Sequence, residues 1–316
     1  MSAGYLRLFG ENSIVMRHSV RTGLLTLEGV AGVGRQFDYW GSNRQLSDAV
    51  EQSMTGCEAT AIRILRSLDT RWPVSDTERV AVVQFVAIHV ARTPTFRIFL
   101  RRTTEEAIEE RVRPQVQSAA FHTAANVFRG DGMHANALLR QISRIACVLA
   151  SMQWSLVRFD SDCLITSDQP VVVMPLKATA ITPASAMPES GFADTIEIRF
   201  PVDPRTLLLL SWAESEDHAV PLEGSLDVAS NVNCSTRAQA FEEWFFRPGT
   251  RPCFLAPPLM QPQIHSAAPY LLPPYGLRAA IKSGRRQAAE ALMTQIVEDQ
   301  DPTDPVRWVV PRAKAA

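Results

Sequence analysis

The sequence predicts an α+β fold, with a helical N-terminal half packed on a C-terminal antiparallel sheet. Two observations favour this class. Apolar residues recur every three or four positions between residues 44 and 152, whereas they alternate with a period of two after Gln153. Helices followed by strands along one chain are typical of α+β architecture. The 316 residues are enough to build one such unit with a substantial core.

The first 40 residues predict a short β entry. Apolar runs separated by glycine turns are typical of extended segments. The runs cover residues 5–9, 14–16 and 24–27, with turns at Gly10 and Gly23. Three later glycines have the spacing G-x-x-G-x-G rather than the phosphate-binding G-x-G-x-x-G, so we interpret residues 29–34 as a connector.

Residues 44–152 predict helices. The first runs from Gln45 to Leu68, and the second begins at Ser75, where Ser75-Asp-Thr-Glu78 has the form of a capping box. The second helix is apolar nearly all round and ends at Arg92-Thr93-Pro94, because the residue before proline avoids the α conformation. A charged helix over residues 97–113 and an amphipathic helix over residues 133–152 follow.

The C-terminal half predicts strands, a helix and a proline-rich arm. The predicted strands are residues 154–159 and 163–166, forming a hairpin, then 171–174, 196–202 and 207–212. Residues 230–246 predict a helix. The resulting division is an α+β domain over residues 1–247 (β entry 1–40, helices 44–152, sheet and helix 154–246) and a proline-rich arm with a C-terminal helix over residues 248–316.

Charge and composition exclude several classes of protein. The 32 basic and 33 acidic residues give a net charge of −1, so no overall field attracts nucleic acid or an acidic membrane. No apolar run approaches the ~20 residues that span a bilayer, and no secretory pattern opens the chain, so we expect a soluble cytoplasmic protein. The five cysteines are widely spaced without a C-x-x-C pair, which predicts neither a zinc site nor a disulfide framework.

One candidate site is the polar segment Thr166-Ser167-Asp168-Gln169-Pro170, which interrupts two apolar strands. Asp168 is a candidate metal ligand or general base, and Ser167 a candidate polar contact. The alternative is structural, since Ser and Asp before a proline commonly stabilise a turn through their own backbone.

A second candidate site lies where the apolar second helix ends. The guanidinium of Arg92 is expected to be half-buried and to need a carboxylate or an anionic ligand. An ion pair with Asp168 or Glu58 would make it structural, whereas a bidentate grip on phosphate or carboxylate would make it a binding residue. His89 lies three residues earlier on the same helical face, as a buried hydrogen-bonding residue or a general base.

Several phrases together resemble the bacterial "domain of unknown function 4238" family over about residues 5–247. The matching pieces are Tyr5-Leu6-Arg7 with Phe9, Phe37-Asp38-Tyr39, Glu58, Phe85-Val86-Ala87, Arg92-Thr93-Pro94, Arg97, Trp154, residues 165–171, Pro201 with Pro204, and Asn231 before a helix. The resemblance implies that Arg92 and the Thr-Ser-Asp-x-Pro segment are family hallmarks that share a site. It implies no established activity.

The sequence departs from this family at two places. Only Met1 to Gly4 precede Tyr5, whereas family members usually open with a histidine-containing phrase there. Relatives often carry glutamine at the position of His89, which favours hydrogen bonding over proton transfer for this residue.

Two functions follow as hypotheses. The first is a non-catalytic binding or interaction protein, in bacterial defence or mobile-element biology. The alternative is a metal-assisted hydrolase, phosphodiesterase or nuclease-like, in which Glu58, Arg92, Ser167 and Asp168 converge on an anionic substrate. The candidate binding residues are Arg92, Glu58 and Asn231, and the partner would be an anionic small molecule or nucleic acid. The sequence identifies no cofactor and no set of metal ligands, and it predicts no membrane partner.

Overall fold

A computed structural model describes residues 1–34, 44–93, 96, 105, 109, 141–143, 145–175, 195–211 and 219–254. These residues form helices together with antiparallel and mixed sheets, which confirms the α+β class. The predicted helix over residues 97–113, most of the arm over 248–316 and the C-terminal helix lie outside the described residues.

The chain begins with a helix, α1 (Ala3–Phe9), and the prediction of an extended segment there is wrong. Ser2 caps the helix, because its Oγ accepts a hydrogen bond from the Tyr5 amide at 3.1 Å. Tyr5, Leu6 and Phe9 are fully buried. Their spacing places all three on the core side of a single helical turn, which a strand of alternating faces could not do.

Four described strands form a sheet that joins N-terminal strands to a strand near residue 245. Its order is β2-β1-β9-β4. The strands are β1 (Ile14–Ser19), β2 (Leu25–Gly29), β4 (Thr166–Ser167) and β9 (Glu243–Phe246). β9 pairs antiparallel with both β1 and β4. The predicted helix over residues 230–246 is therefore wrong at its end, where the aromatic run Trp244-Phe245-Phe246 forms a strand.

A second sheet of five described strands has the order β5-β6-β7-β3-β8. The strands are β3 (Gln153–Arg158), β5 (Val172–Pro175), β6 (Thr195–Asp203), β7 (Thr206–Ser211) and β8 (Leu222–Glu223). The predicted hairpin of residues 154–159 with 163–166 is wrong. β3 pairs with β7 and β8, while β4 pairs with β9 in the other sheet. The short connection between β3 and β4 thus crosses from one sheet to the other.

Helices α2 (Arg44–Ser67), α3 (Asp76–Ala91) and α4 (Leu226–Gln239) complete the described framework. The predicted capping box of α3 is confirmed: Ser75 accepts from the Glu78 amide, and the Glu78 side chain accepts from the Ser75 amide. The described part of the predicted helix over residues 133–152 is helical at 141–143 and 145–151. The main core contains residues of α1, α2, α3, segment 145–151 and both sheets.

Candidate functional site

The end of α3 forms the ion pair that one sequence interpretation predicts. The Arg92 Nη1 donates to Glu58 Oε1 of α2 at 2.9 Å. Both side chains are largely buried, at 17% and 18% exposure. The pair therefore fixes the end of α3 against α2, and Glu58 rather than Asp168 is the carboxylate that Arg92 contacts. At the next residue, the Thr93 hydroxyl donates to Val90 O and accepts from the Phe96 amide.

The segment after β4 is a turn held by its own side chains. Thr166 and Ser167 are fully buried in the ladder with β9. The Ser167 hydroxyl donates to Gln169 O at 2.8 Å and accepts from the Gln169 amide at 3.2 Å. This is the local backbone bonding that the turn interpretation of Ser167 predicts.

The Asp168 carboxylate binds main-chain amides from a distant part of the chain. Oδ1 accepts from the Phe241 amide at 2.9 Å, and Oδ2 accepts from the amides of Glu242 and Glu243 at 2.6 and 3.3 Å. The Asp168 amide itself donates to Glu243 O at 3.0 Å. The carboxylate therefore closes the bend between α4 and β9, because three consecutive amides point at its two oxygens.

Electrostatics at Asp168 reflect two opposed effects. Burial of the carboxyl is the larger and raises its pKa to about 6, while the three amide donors oppose this rise and nearby Glu243 adds to it. An acid with this pKa is chemically suited to proton transfer. Both of its oxygens nevertheless already accept hydrogen bonds from the main chain.

Tyr5 connects this segment to the other sheet. Its hydroxyl donates to Pro201 O of β6 at 2.6 Å and shares a 2.8 Å hydrogen bond with the Thr166 hydroxyl of β4. Burial raises the Tyr5 pKa far above its ordinary value, so the phenol stays neutral. The sequence marked Tyr5 only as part of the family resemblance, yet this side chain bonds to both sheets at once.

His89 is packed among aromatic rings rather than placed in a cleft. Its ring centroid lies 4.5 Å from that of Phe85 and 5.0 Å from that of Tyr5. Burial lowers the His89 pKa well below its ordinary value, and the positive charges of the N-terminal amine and Arg92 lower it further. The imidazole is therefore neutral, and its buried Nε2 has no hydrogen-bond partner among the described residues.

Asn231, the remaining predicted binding residue, belongs to a polar network on the outside of α4. Its Oδ1 accepts from Arg199 Nη1 of β6 at 2.6 Å, and the same guanidinium contacts Ser235 and Glu197. The network joins α4 to β6 and lies on different elements from the Arg92 and Glu58 pair. Asn231 is thus a contact between two elements of the fold.

Asn233 has a structural role that the sequence did not predict. It is fully buried; its Oδ1 accepts from the Ile165 amide, and its Nδ2 donates to the carbonyls of Cys163 and Cys253 at 2.7 and 3.0 Å. Its position in the stripe of buried residues on α4, with Ala229, Val232 and Thr236, is a signal that could have identified it.

Arg79 is a second missed residue with a structural role. It is 2% exposed and donates to Ala150 O and Met152 O, with its guanidinium 4.2 Å from the Trp154 ring centroid. It thus satisfies carbonyls at the end of helical segment 145–151. Its place one turn before Val82 and Val83 on the buried face of α3 was the available signal.

A surface groove of about 480 Å³ lies apart from the predicted residues. It is lined by Glu11, Asp162, Arg247, Pro248, Gly249 and Thr250. Asp162 is held between Arg205 at 2.5 Å and Arg247 at 2.8 Å, and the two arginines together lower its pKa against the raising effect of burial. Neither Asp168 nor Arg92 lines this groove.

Within the described part of the chain, no three His, Cys, Asp or Glu side chains are grouped so that they could hold a metal ion. None of the described helices is long and apolar enough to cross a membrane. The contacts above bring Arg92 to Glu58, Tyr5 to Thr166, and Asp168 to residues 241–243. They do not join Arg92 to Asp168.

The described residues form an α+β protein with two sheets, in which the polar segments predicted as sites bind mainly to the protein's own main chain. The chain belongs to the family described as "Protein of unknown function (DUF4238)", whose model matches residues 5–250. This match confirms the resemblance stated from the sequence. No curated protein and no solved structure matches the chain.

Proposed function

We propose that this chain is a non-catalytic binding or interaction protein. The observation that carries the proposal is the bonding of Asp168, because both oxygens of the strongest candidate acid are used by the amides of residues 241–243. Arg92 and Ser167 likewise have partners inside the fold. Residues bonded in this way stabilise the fold. Contacts with other molecules would therefore be made by other residues, on the exposed surface.

The edge that β2 forms among the described strands supports this proposal. Leu25 and Leu27 of β2 are 52% and 62% exposed, and neighbouring Leu24 is 63% exposed. Among the described strands β2 is at the edge, where backbone amides and carbonyls remain available for pairing. Exposed leucines on an edge strand are the pattern that natural sheets usually avoid unless another strand covers them.

The leucines extend an apolar face that is already partly covered. Leu27 is paired with Met16 and Leu25 with His18, and His18 stacks on Trp244 at 4.6 Å between ring centroids. Cross-strand partners share one face of a sheet. The face is therefore buried near β9 and exposed at β2, so one further strand at β2 would continue it.

A second copy of the chain is the occupant that we propose for this edge. An antiparallel pair of β2 strands centred on Leu27 places Leu27 opposite Leu27 of the second copy, and Glu28 opposite Thr26. This register sets no like charges opposite each other. A net charge of −1 adds little repulsion between copies.

Substitution of both Leu25 and Leu27 by lysine tests this interface. We expect the wild-type chain to sediment as a dimer and the Leu25→Lys/Leu27→Lys chain as a monomer, because lysines on an edge strand oppose pairing. The matched control is Val220→Lys/Leu222→Lys, since Leu222 is an exposed residue of β8 in the other sheet and Val220, also exposed, lies two residues before it. A wild-type monomer at all concentrations, or equal disruption by the control, would contradict the proposed interface.

A metal-assisted hydrolase acting on an anionic substrate is the competing function, and the raised pKa of Asp168 is the observation in its favour. The hydrolase function requires that the protein cleave phosphodiesters and that the cleavage depend on Asp168. Hydrolysis of bis(4-nitrophenyl) phosphate with Mg²⁺ or Mn²⁺, lost in a folded Asp168→Asn chain, would support the hydrolase and overturn the non-catalytic proposal. We expect no cleavage by either chain.

A further inference from the structure

Two cysteines far apart in sequence lie on neighbouring backbone segments. The Cys253 amide donates to Cys163 O at 3.3 Å, and Asn233 Nδ2 donates to both of their carbonyls. A single peptide hydrogen bond joins the two residues, since the Cys163 amide donates to Pro204 O instead. One such bond keeps the two Cα atoms close, and disulfides join Cα atoms across about 4.4–6.8 Å. The two thiols are also close enough for Cys253 to contribute to the raised pKa of Cys163.

Their side chains pack against the same group of apolar residues. Cys163 is buried in the small core that includes Leu207, Ala229 and Val232, and Cys253 packs against that core. The Cys253 thiol also donates to Leu226 O at the start of α4. Both side chains therefore lie on the α4 side of their segments, and both are free thiols in this structure.

We propose that Cys163 and Cys253 are a redox-active pair that closes to a reversible intramolecular disulfide. A low-molecular-weight disulfide such as glutathione disulfide is the oxidant. The Cys253 thiolate attacks one sulfur of this oxidant and releases one small thiol, and the Cys163 thiolate then displaces the second. Two protein thiols lose two electrons and two protons, and the small disulfide is reduced to two thiols.

The order of these steps follows from the exposure of the two thiols. Cys253 is half-buried and accessible to a small disulfide, whereas Cys163 is buried. Burial and the neighbouring Cys253 raise the pKa of Cys163 to about 11. Because the thiolate is the attacking species, closure is slow at neutral pH and becomes faster as the pH rises.

The bond would fix one end of the surface groove. Asp162, next to Cys163, already contacts Arg247 at the start of the segment that leads to Cys253. A disulfide would add a covalent link beside this ion pair and bridge a span of about 90 residues. Such a cross-link restricts the unfolded chain, and we expect the melting temperature to rise by roughly 5–15 °C.

The test is oxidation of the full chain in glutathione disulfide, followed by alkylation under denaturing conditions and peptide mass mapping. Of the five thiols, we expect a loss of two, a linked peptide containing Cys163 and Cys253, and reversal by dithiothreitol. Cys253→Ser is expected to abolish the loss of two thiols. Cys234→Ser, in which the cysteine nearby on α4 is replaced, is the control and is expected to behave as wild type.

Three results would overturn the proposal. They are a glutathione adduct on Cys253 that never resolves at raised pH, a link between Cys234 and Cys253 instead, or linkage only between separate molecules. The melting temperature of the oxidised chain gives a second measurement, since no rise relative to the oxidised Cys253→Ser chain would also contradict closure.

Discussion

At the scale of single residues, the buried polar side chains in the described part of the chain bind mainly to backbone groups. Asn233 joins Cys163, Ile165 and Cys253 through one amide group. Arg79 and Tyr5 likewise donate hydrogen bonds to backbone carbonyls elsewhere in the core. A buried backbone group without a partner costs about 1–3 kcal/mol, so each such side chain has a direct energetic reason to be polar.

The pH dependence of stability should reveal the buried His89. Its pKa is lowered in the folded state from an ordinary value of 6.5, so the unfolded chain binds a proton first as the pH falls. Neutral His89 makes its full contribution to the free energy of unfolding above about pH 6.5. As the pH falls below this value, the free energy of unfolding decreases by about 1.4 kcal/mol per pH unit, until the pKa of His89 in the folded state is reached.

The His89→Gln chain should therefore lose less stability on acidification than wild type. Glutamine has a similar length and does not titrate. Urea unfolding at a series of values between about pH 7.5 and 5 measures the difference. Asp168, whose raised pKa acts in the opposite direction, is common to both chains and cancels in the comparison. Parallel pH curves would contradict a buried neutral histidine.

Sequence reasoning could identify some of these partnerships and not others. Glu58 was predictable as one of two partners for Arg92, because a carboxylate on an adjacent helix is a recognisable residue type. The partners of Asp168 were not predictable, since they are main-chain amides more than 70 residues away, which no side-chain pattern marks. Asn233 lay in a visible buried stripe, but nothing local indicated its three partners.

At the scale of elements, local sequence signals predicted where a helix begins better than they predicted whether a short segment is a helix or a strand. The capping box at Ser75 was confirmed because all its parts lie within four residues. In α1, the run Tyr5 to Phe9 is too short for its periodicity to separate helix from strand. For β9, pairing with β1 and β4 from remote parts of the chain overrode the continuation of the preceding helix.

Gly224 provides an element-scale test of how β8 packs on β3. Its amide donates to Arg158 O at 2.6 Å, and a Cβ added at this position would overlap the Phe159 ring. We expect Gly224→Ala to lower the free energy of unfolding by about 1–3 kcal/mol, because Phe159 must leave its place in the small core.

Gly56 in α2 is the matched control for this substitution. A Cβ there meets nothing within 4 Å, and alanine favours a helix interior. Gly56→Ala should raise stability by up to about 1 kcal/mol in the same urea titration. If both substitutions had the same sign, the close packing of Gly224 on Phe159 would be wrong.

At the scale of the whole molecule, a small number of contacts fasten two sheets into one core. The chain crosses between the sheets after β3, and Tyr5 bonds to Thr166 in one sheet and to Pro201 in the other. The α+β class was predictable from the change of apolar period. The division into two sheets was not, because strand order depends on pairings between residues such as Arg17 and Phe245 that are remote in sequence.

Unfolding of Asp168 variants tests most directly the claim that this residue fastens β4 to the bend before β9. At a pH above the Asp168 pKa of about 6, we expect Asp168→Ala to lower the free energy of unfolding by about 1–3 kcal/mol. The substitution removes the acceptor of three amide hydrogen bonds, and this loss exceeds the gain from removing a buried negative charge. Asp168→Asn should recover part of this loss, and Asp160→Asn, at an exposed turn, should have almost no effect. An Asp168→Ala chain as stable as wild type would contradict this role of Asp168.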